Sequence, residues 1–182
     1  QAEDGIRCVE RSRGLGDVYK RQFQAMQTGH GVMSTFHAAS VEKLIQRLTG
    51  DPINVPRNYL DNLNVVLIQS AVKLPNGKMA RRVLSISEII GYDPVSGSCS
   101  FIHSFVWNQA KDEFEFPGYM NSYLLEEKIA PRRGLPPEKK RNIYNELNRR
   151  AKILERLHKE KGITDFYELL KVLTAARKEG VF

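Results

Sequence analysis

Apolar positions along the chain first fall at helical spacing, then close together, then again at helical spacing. Phe23 to Thr28 reads as the end of a helix, with Gly29 as its C-terminal cap. Val32 to Phe36 is predicted to be a short buried strand. Ser40 suits an N-cap for a helix over Val41 to Thr49. Its apolar stripe is Leu44, Ile45 and Leu48, and Gly50-Asp51-Pro52 ends it. Pro56 is placed to open a short helix reaching Asn62.

Val65-Val66-Leu67-Ile68 is apolar throughout, as expected of a strand buried on both faces. Pro75-Asn76-Gly77 is a turn before a second strand, Lys78 to Ile90. Alternation there puts Arg82, Leu84, Ile86 and Glu88 on one face and Val83, Ser85, Ser87 and Ile89 on the other. Asp93 to Gly97 is another turn, Cys99 to Trp107 a third strand, and Glu113 to Phe116 a short fourth. Short turns between neighbouring strands predict an antiparallel patch.

From Tyr119 the spacing turns helical. Tyr119 to Lys128 is predicted as one helix and Pro131 to Pro137 as a linker. Pro136-Pro137 is placed to start the next helix. Ile143, Leu147, Ala151, Leu154 and Leu157 form one stripe on a long helix that Gly162 stops. Thr164 would cap a last helix carrying Phe166, Leu169, Leu170 and Leu173. A hairpin packed by these two stripes is the simplest outcome.

The chain has 182 residues, 41% apolar and 27% charged, the composition of an ordinary globular protein. No apolar run approaches the roughly 20 residues that span a bilayer, and no leader resembles a signal peptide. These features predict a cytoplasmic protein. Cys8 and Cys99 form neither a disulfide framework nor a metal-ligand spacing and are expected to be reduced. The net charge of +7 is uneven: Glu138 to Lys161 holds nine Lys or Arg against four Glu. Such a face can meet nucleic acid, acidic lipid or an acidic protein, or can simply be solvated.

Residues 1–22 stand apart. Gln1 to Arg21 shows no helical or strand periodicity. It resembles a recurrent stretch at the ends of proteins translated from environmental sequencing, attributed to adapter sequence. It is expected to be non-native and is set aside from fold reasoning. Gly14-Leu15-Gly16 is not a phosphate loop, because no Lys followed by Ser or Thr stands at the required spacing.

The segment Gln24-Ala25-Met26-Gln27-Thr28-Gly29-His30, followed by Ser34-Thr35-Phe36-His37-Ala38, carries the candidate chemistry. Thr28-Gly29-His30, Thr35, His37 and Ala38 resemble the histidine box of the secretion-superfamily ATPases. These are the hexameric motors of type II secretion, type IV pili, the archaellum and type IV secretion. The family pattern is a helix ending Thr-Gly-His, then a strand ending Thr-x-His-(Ala/Thr). Arg57-Asn58-Tyr59-Leu60-Asp61, the Arg81-Arg82-Val83 strand, Gly91-Tyr92-Asp93 and the basic C-terminal hairpin look like the archaeal branch. The resemblance covers about Phe23 to Phe182.

It implies an α/β fold: the C-terminal part of a RecA-like P-loop NTPase domain over residues 23–118, with a helical subdomain over 119–182. His37 would be the box histidine near the γ-phosphate, coupling nucleotide state to subunit movement. Thr28, Gly29, His30 and Thr35 would support it. ATP and Mg²⁺ would be cofactors of the full-length protein. This chain lacks Walker A and Walker B segments and is expected to be inactive alone. Its partners would be the other subunits of a homo-hexamer and a polytopic membrane platform protein, at the inner face of the cell membrane. No specific nucleic acid is expected.

Other readings stand beside this one. A lone histidine on an apolar strand is usually a hydrogen-bonded core residue. His30 could instead be a helix C-terminal residue favoured by the dipole. His30 and His37 lack a third metal ligand at sensible spacing. Alternation puts Cys99 and His103 on one face, where core packing is the better reading. Trp107 and Phe105 also read as packing residues. A basic nucleic-acid-binding helix over Glu138 to Lys161 is the alternative function, and a stand-alone interaction domain is a third.

Overall fold

The computed structural model describes residues 15–180, with the side chain of Leu15 excepted. Cys8 and most of the segment 1–22 lie outside the described residues. The chain divides into two compact units, the first ending at Leu124 and the second beginning at Leu125.

The first unit opens with helix α1, Leu15–Gln27. Residues 15–21, where no periodicity is read in the sequence, continue the helix that Phe23 and Met26 define. Tyr19 lies one turn before Phe23, so the same side carries it. Extending a formed helix is far easier than nucleating one. Gly16 lets this helix approach closely: a Cβ there would stand 2.8 Å from the Pro52 carbonyl oxygen. Helix α2, Val41–Thr49, has the expected limits, and the Ser40 hydroxyl accepts from the Lys43 amide at 3.3 Å. A 3-10 turn covers Arg57–Asn62 after Pro56.

Four antiparallel strands follow in the order β1-β2-β3-β4: β1 Val65–Lys73, β2 Met79–Asp93, β3 Ser98–Asn108 and β4 Glu113–Glu115. The turns at Gly77 and Gly97 form with φ of 80° and 68°, which glycine tolerates without strain. Phe23, Val41, Leu44 and Leu48 from the helices meet Val66, Ile68 and Ile89 from the sheet in one core.

The strand expected over Val32 to Phe36 does not form. Residues 30–38 pair with no strand, and most are exposed. A buried strand needs hydrogen-bonding neighbours, and the four strands of this sheet do not reach the segment. β1 is likewise not buried on both faces. Val66 and Ile68 are buried, while Val65 is 43% and Leu67 51% exposed. β1 is the edge of the sheet, with one face on the core.

Strict alternation along β2 also fails. Ile68 pairs with Ser85 but Gln69 with Val83, so Leu84 is a bulge and turns to the core. A second bulge puts Ser104 between the Ile86–Phe105 and Ser87–His103 pairs. Bulges re-aim side chains, and this one brings Ser104 to Glu88.

Tyr119 to Lys128, a stretch that contains the boundary between the two units at Leu124, is not one helix. Residues 117–120 are turn, and Met120 has φ of 58°. A π-helical segment covers Leu124–Ile129 and runs into helix α3, Ala130–Arg132. Pro131 is therefore inside a helix rather than a linker. It sits in the first turn of α3, where a missing N–H is tolerated. Pro136-Pro137 does open the next element, a 3-10 turn over Pro137–Asn142, before helix α4, Ile143–Lys159. The basic run thus lies on two elements. Ile143 and Tyr144 are buried, and the Tyr144 hydroxyl donates to buried Glu126 at 2.9 Å. Helix α5, Phe166–Lys178, has no fully buried residue. The two stripes expected to bury each other stay partly open: Leu154 is 41% and Leu170 49% exposed.

Candidate functional site

The turn Thr28-Gly29-His30 is built by the end of α1. The Gly29 amide donates to the Met26 carbonyl at 3.0 Å and the His30 amide to the Ala25 carbonyl at 3.1 Å. This is the Schellman arrangement, which needs a left-handed residue at the second position of the turn. Gly29 has φ of 88°. The order Thr-Gly-His therefore has a local cause: Gly29 turns the chain, and His30 follows it.

Thr28 ties the turn together. Its hydroxyl donates to the Ala25 carbonyl at 2.9 Å and lies 2.9 Å from His30 Nδ1. The single hydroxyl proton goes to the carbonyl, so Nδ1 is the donor in the second contact. A neutral His30 then carries its proton on Nδ1 and leaves Nε2 as an acceptor. Both Thr28 and His30 are exposed.

Thr35 and His37 are held by their main chain. The Tyr19 hydroxyl donates to the Thr35 carbonyl at 3.1 Å, and the Arg47 guanidinium donates to the His37 carbonyl. Between them Phe36 packs on Tyr19, ring centroids 5.2 Å apart, with Arg47 4.9 Å above its ring. The His37 side chain is exposed, not a core histidine. The structure thus brings Thr28, Gly29 and His30 into one turn. It holds Thr35 and His37 on a separate anchored segment between α1 and α2.

The described residues hold no group of three or more His, Cys, Asp or Glu placed to bind a metal ion. Other polar constellations are structural. Ser87 Oγ lies 2.8 Å from His103 Nδ1, a pairing that looks nucleophilic. Ser87 is completely buried, so its hydroxyl orients the imidazole and meets no substrate. Phe101 stacks edge-on to His103 at 5.4 Å. Burial pushes the Cys99 thiol up, the opposite of an activated thiolate. Trp107 is buried and donates to Asp112 at 2.9 Å, and Phe105 stacks on Phe116 at 4.1 Å. Both aromatics are packing residues.

A cleft of about 290 Å³ lies between α2, the 3-10 turn and the β2–β3 hairpin, with Glu42, Gln46, Arg57, Tyr92 and Cys99 on its wall. The Ser40 hydroxyl beside Glu42 holds that carboxyl below its usual range, so Glu42 and Arg57 face the cleft with opposite charges. No motif in the sequence marks this cleft as a site. Its walls come from residues more than forty positions apart, and no local spacing announces it.

Glu88 is a buried anchor that no local spacing marks. Its carboxylate accepts from Ser104 Oγ at 2.5 Å, Ser122 Oγ at 2.7 Å and the Leu124 amide at 2.8 Å. Three donors satisfy a charge that would otherwise be costly to bury.

No family model matches the chain. It is similar to three uncharacterized proteins of Methanocaldococcus jannaschii. MJ0900 is 51% identical over 159 residues, which is 87% of this chain and 28% of that protein. MJ1287 is 40% identical over 156 residues, 86% of this chain and 54% of that protein. MJ0781 is 30% identical over 125 residues, 69% of this chain and 16% of that protein. The chain spans about half or less of the curated relatives it matches.

Proposed function

We propose that this chain is the C-terminal part of the catalytic domain of a hexameric ATPase. The motor would power protein secretion or the assembly of a type IV pilus or archaellum. The observation that carries this reading is the pair of exposed histidines in family order. His30 follows a Schellman-capped helix end, and His37 follows on a segment whose main chain Arg47 holds. Both histidines are exposed, as groups must be if they are to meet a ligand contributed by other parts of a protein. Residues 1–22 are read as foreign to the gene.

ATP and Mg²⁺ belong to the complete motor. The described residues do not fit them alone: a triphosphate needs a ring of backbone N–H groups with a Lys and a hydroxyl, and these residues compose none. No step of hydrolysis is therefore assigned to this chain. Its role is to border the site with His37 and the Thr28–His30 turn, with Thr35 in support. The partners are like subunits in a homo-hexamer and a polytopic membrane platform protein at the inner face of the membrane. Among the described residues no helix is long and apolar enough to cross a membrane.

The nucleic-acid alternative is weaker. In the run 138–161, Lys140, Arg141, Arg149, Arg150, Arg156 and Lys159 all lie within ion-pair distance of glutamates. Those glutamates reduce the field that phosphates would feel.

The test is the complete reading frame that encodes Phe23 onward. It is expected to contain a Walker A motif in frame, and its product to hydrolyse ATP, with His37→Ala lowering the rate. Unchanged rate and nucleotide affinity in that variant would overturn the role of His37. The 182-residue chain is expected to show no turnover, and hydrolysis above background by it would count against the reading.

A further inference from the structure

We propose that the exposed face of α5 is a docking surface for an anionic lipid bilayer. The inference stands on α5 and its charges and does not depend on the motor reading.

The basic excess of the second unit lies before α5, whose own stretch, residues 162–182, holds three Lys or Arg against three Asp or Glu. From residue 125 onward there are fifteen Lys or Arg against nine Asp or Glu, so this unit carries +6 of the formal net charge of +7. At about 3.6 residues per turn, Leu169, Val172, Leu173 and Ala176 share one side of α5, and all four are half-buried. From Phe166, beside Leu173, the arc leading away from that stripe holds Phe166, Leu170 and Tyr167, which are 67%, 49% and 71% exposed. Lys171, Arg177 and Lys178 share that exposed side. Glu168 and Glu179 fall further round the helix, so no acid interrupts it.

Exposed aromatic and leucine side chains beside cations are what an interfacial helix presents. Aromatic rings settle at the headgroup level, and each Lys or Arg gains from the negative surface potential. A second copy is a poor occupant, because this face would meet its own positive charge. An acidic protein would need a groove shaped to a convex helix, whereas headgroups mould around one.

Flotation of the 182-residue chain with vesicles tests this. Binding is expected to equimolar phosphatidylglycerol and phosphatidylcholine at low salt, to fall steeply as salt rises, and to be absent with phosphatidylcholine alone. F166S/Y167S is expected to weaken binding at least about tenfold. K171E/R177E/K178E is expected to weaken it about a hundredfold. All five positions are exposed, and unchanged far-ultraviolet circular dichroism confirms that the variants fold. Wild-type affinity in either variant overturns the proposal, as does equal binding to both vesicle types. No flotation with the anionic vesicles, together with α5-dependent capture of a polyglutamate peptide, would assign the face to an acidic protein instead.

Discussion

The guanidinium of Arg47, on α2, donates to the main-chain carbonyl of His37. The same group lies over the Phe36 ring at 4.9 Å. One cation thus holds two consecutive residues of a segment that has no sheet partner. Arg47→Ala is expected to cost about 1–2 kcal/mol, from a charged hydrogen bond and a cation–π contact at an exposed site. Amide exchange at residues 34–38 should rise in parallel. Arg47→Lys should recover only part of this, since lysine lacks the flat guanidinium. Urea denaturation and hydrogen exchange measure both effects.

Gly29→Ala is expected to destabilise the chain by about 1–2 kcal/mol, because a Cβ at φ of 88° is strained. The His30 ring should move with the turn. A changed His30 environment by NMR, with the far-ultraviolet spectrum otherwise kept, would be the signature. Full retention of stability would mean that the cap does not hold this geometry in solution.

His37→Ala in the 182-residue chain should shift stability by less than about 0.5 kcal/mol, as expected of an exposed side chain. A large loss in thermal unfolding would assign His37 a structural role. That result would also remove the simplest interpretation of the same substitution in the complete protein.

Glu88→Ala is expected to cost about 3–4 kcal/mol, because Ser104, Ser122 and the Leu124 amide would lose a buried acceptor together. Gly118→Ala should disturb the same region by about 1–3 kcal/mol through overpacking, since its Cβ would stand 2.9 Å from Ser104 Cα. Equilibrium unfolding of the two single variants and the double variant should show non-additive losses.

Acid should weaken both units. The Arg82 guanidinium beside Asp112, with the Trp107 N–H, holds that carboxyl down at about 2, against an ordinary 3.8. Arg149 and Arg150 hold Glu146 at about 2, against 4.5. A folded-state pKa below the unfolded one contributes stability above the unfolded value and loses it as pH falls. The loss is therefore expected from about pH 4.5 down to about 2. Asp112→Asn and Glu146→Gln should each flatten that acid limb of the unfolding midpoint. Asparagine suits the left-handed backbone at position 112, where φ is 52°.

Much of the local structure is legible in the sequence because its causes are local. Ser40 caps α2, Gly50 ends it, Pro56 precedes a short helix, and Gly77 and Gly97 turn the strands. The Thr28–His30 turn is of the same kind: three residues and the carbonyls just before them decide it. The antiparallel order of β1 to β4 also follows from short connections.

What only the tertiary structure decided depends on neighbours far along the chain. Val32 to Phe36 has the composition of a strand, yet a strand is a property of its partners, and the described sheet supplies none. Val65 and Leu67 are as apolar as Val66 and Ile68, but β1 is an edge with one face on the core. Leu84 and Ser104 change sides through bulges that no alternation rule reveals. Glu88 becomes an anchor only when Ser104 and Leu124 reach it from sixteen and thirty-six positions away. The spacing of apolar residues records which side of an element avoids water. It carries no record of which distant element covers that side, and the exposed face of α5 is where that difference is plainest.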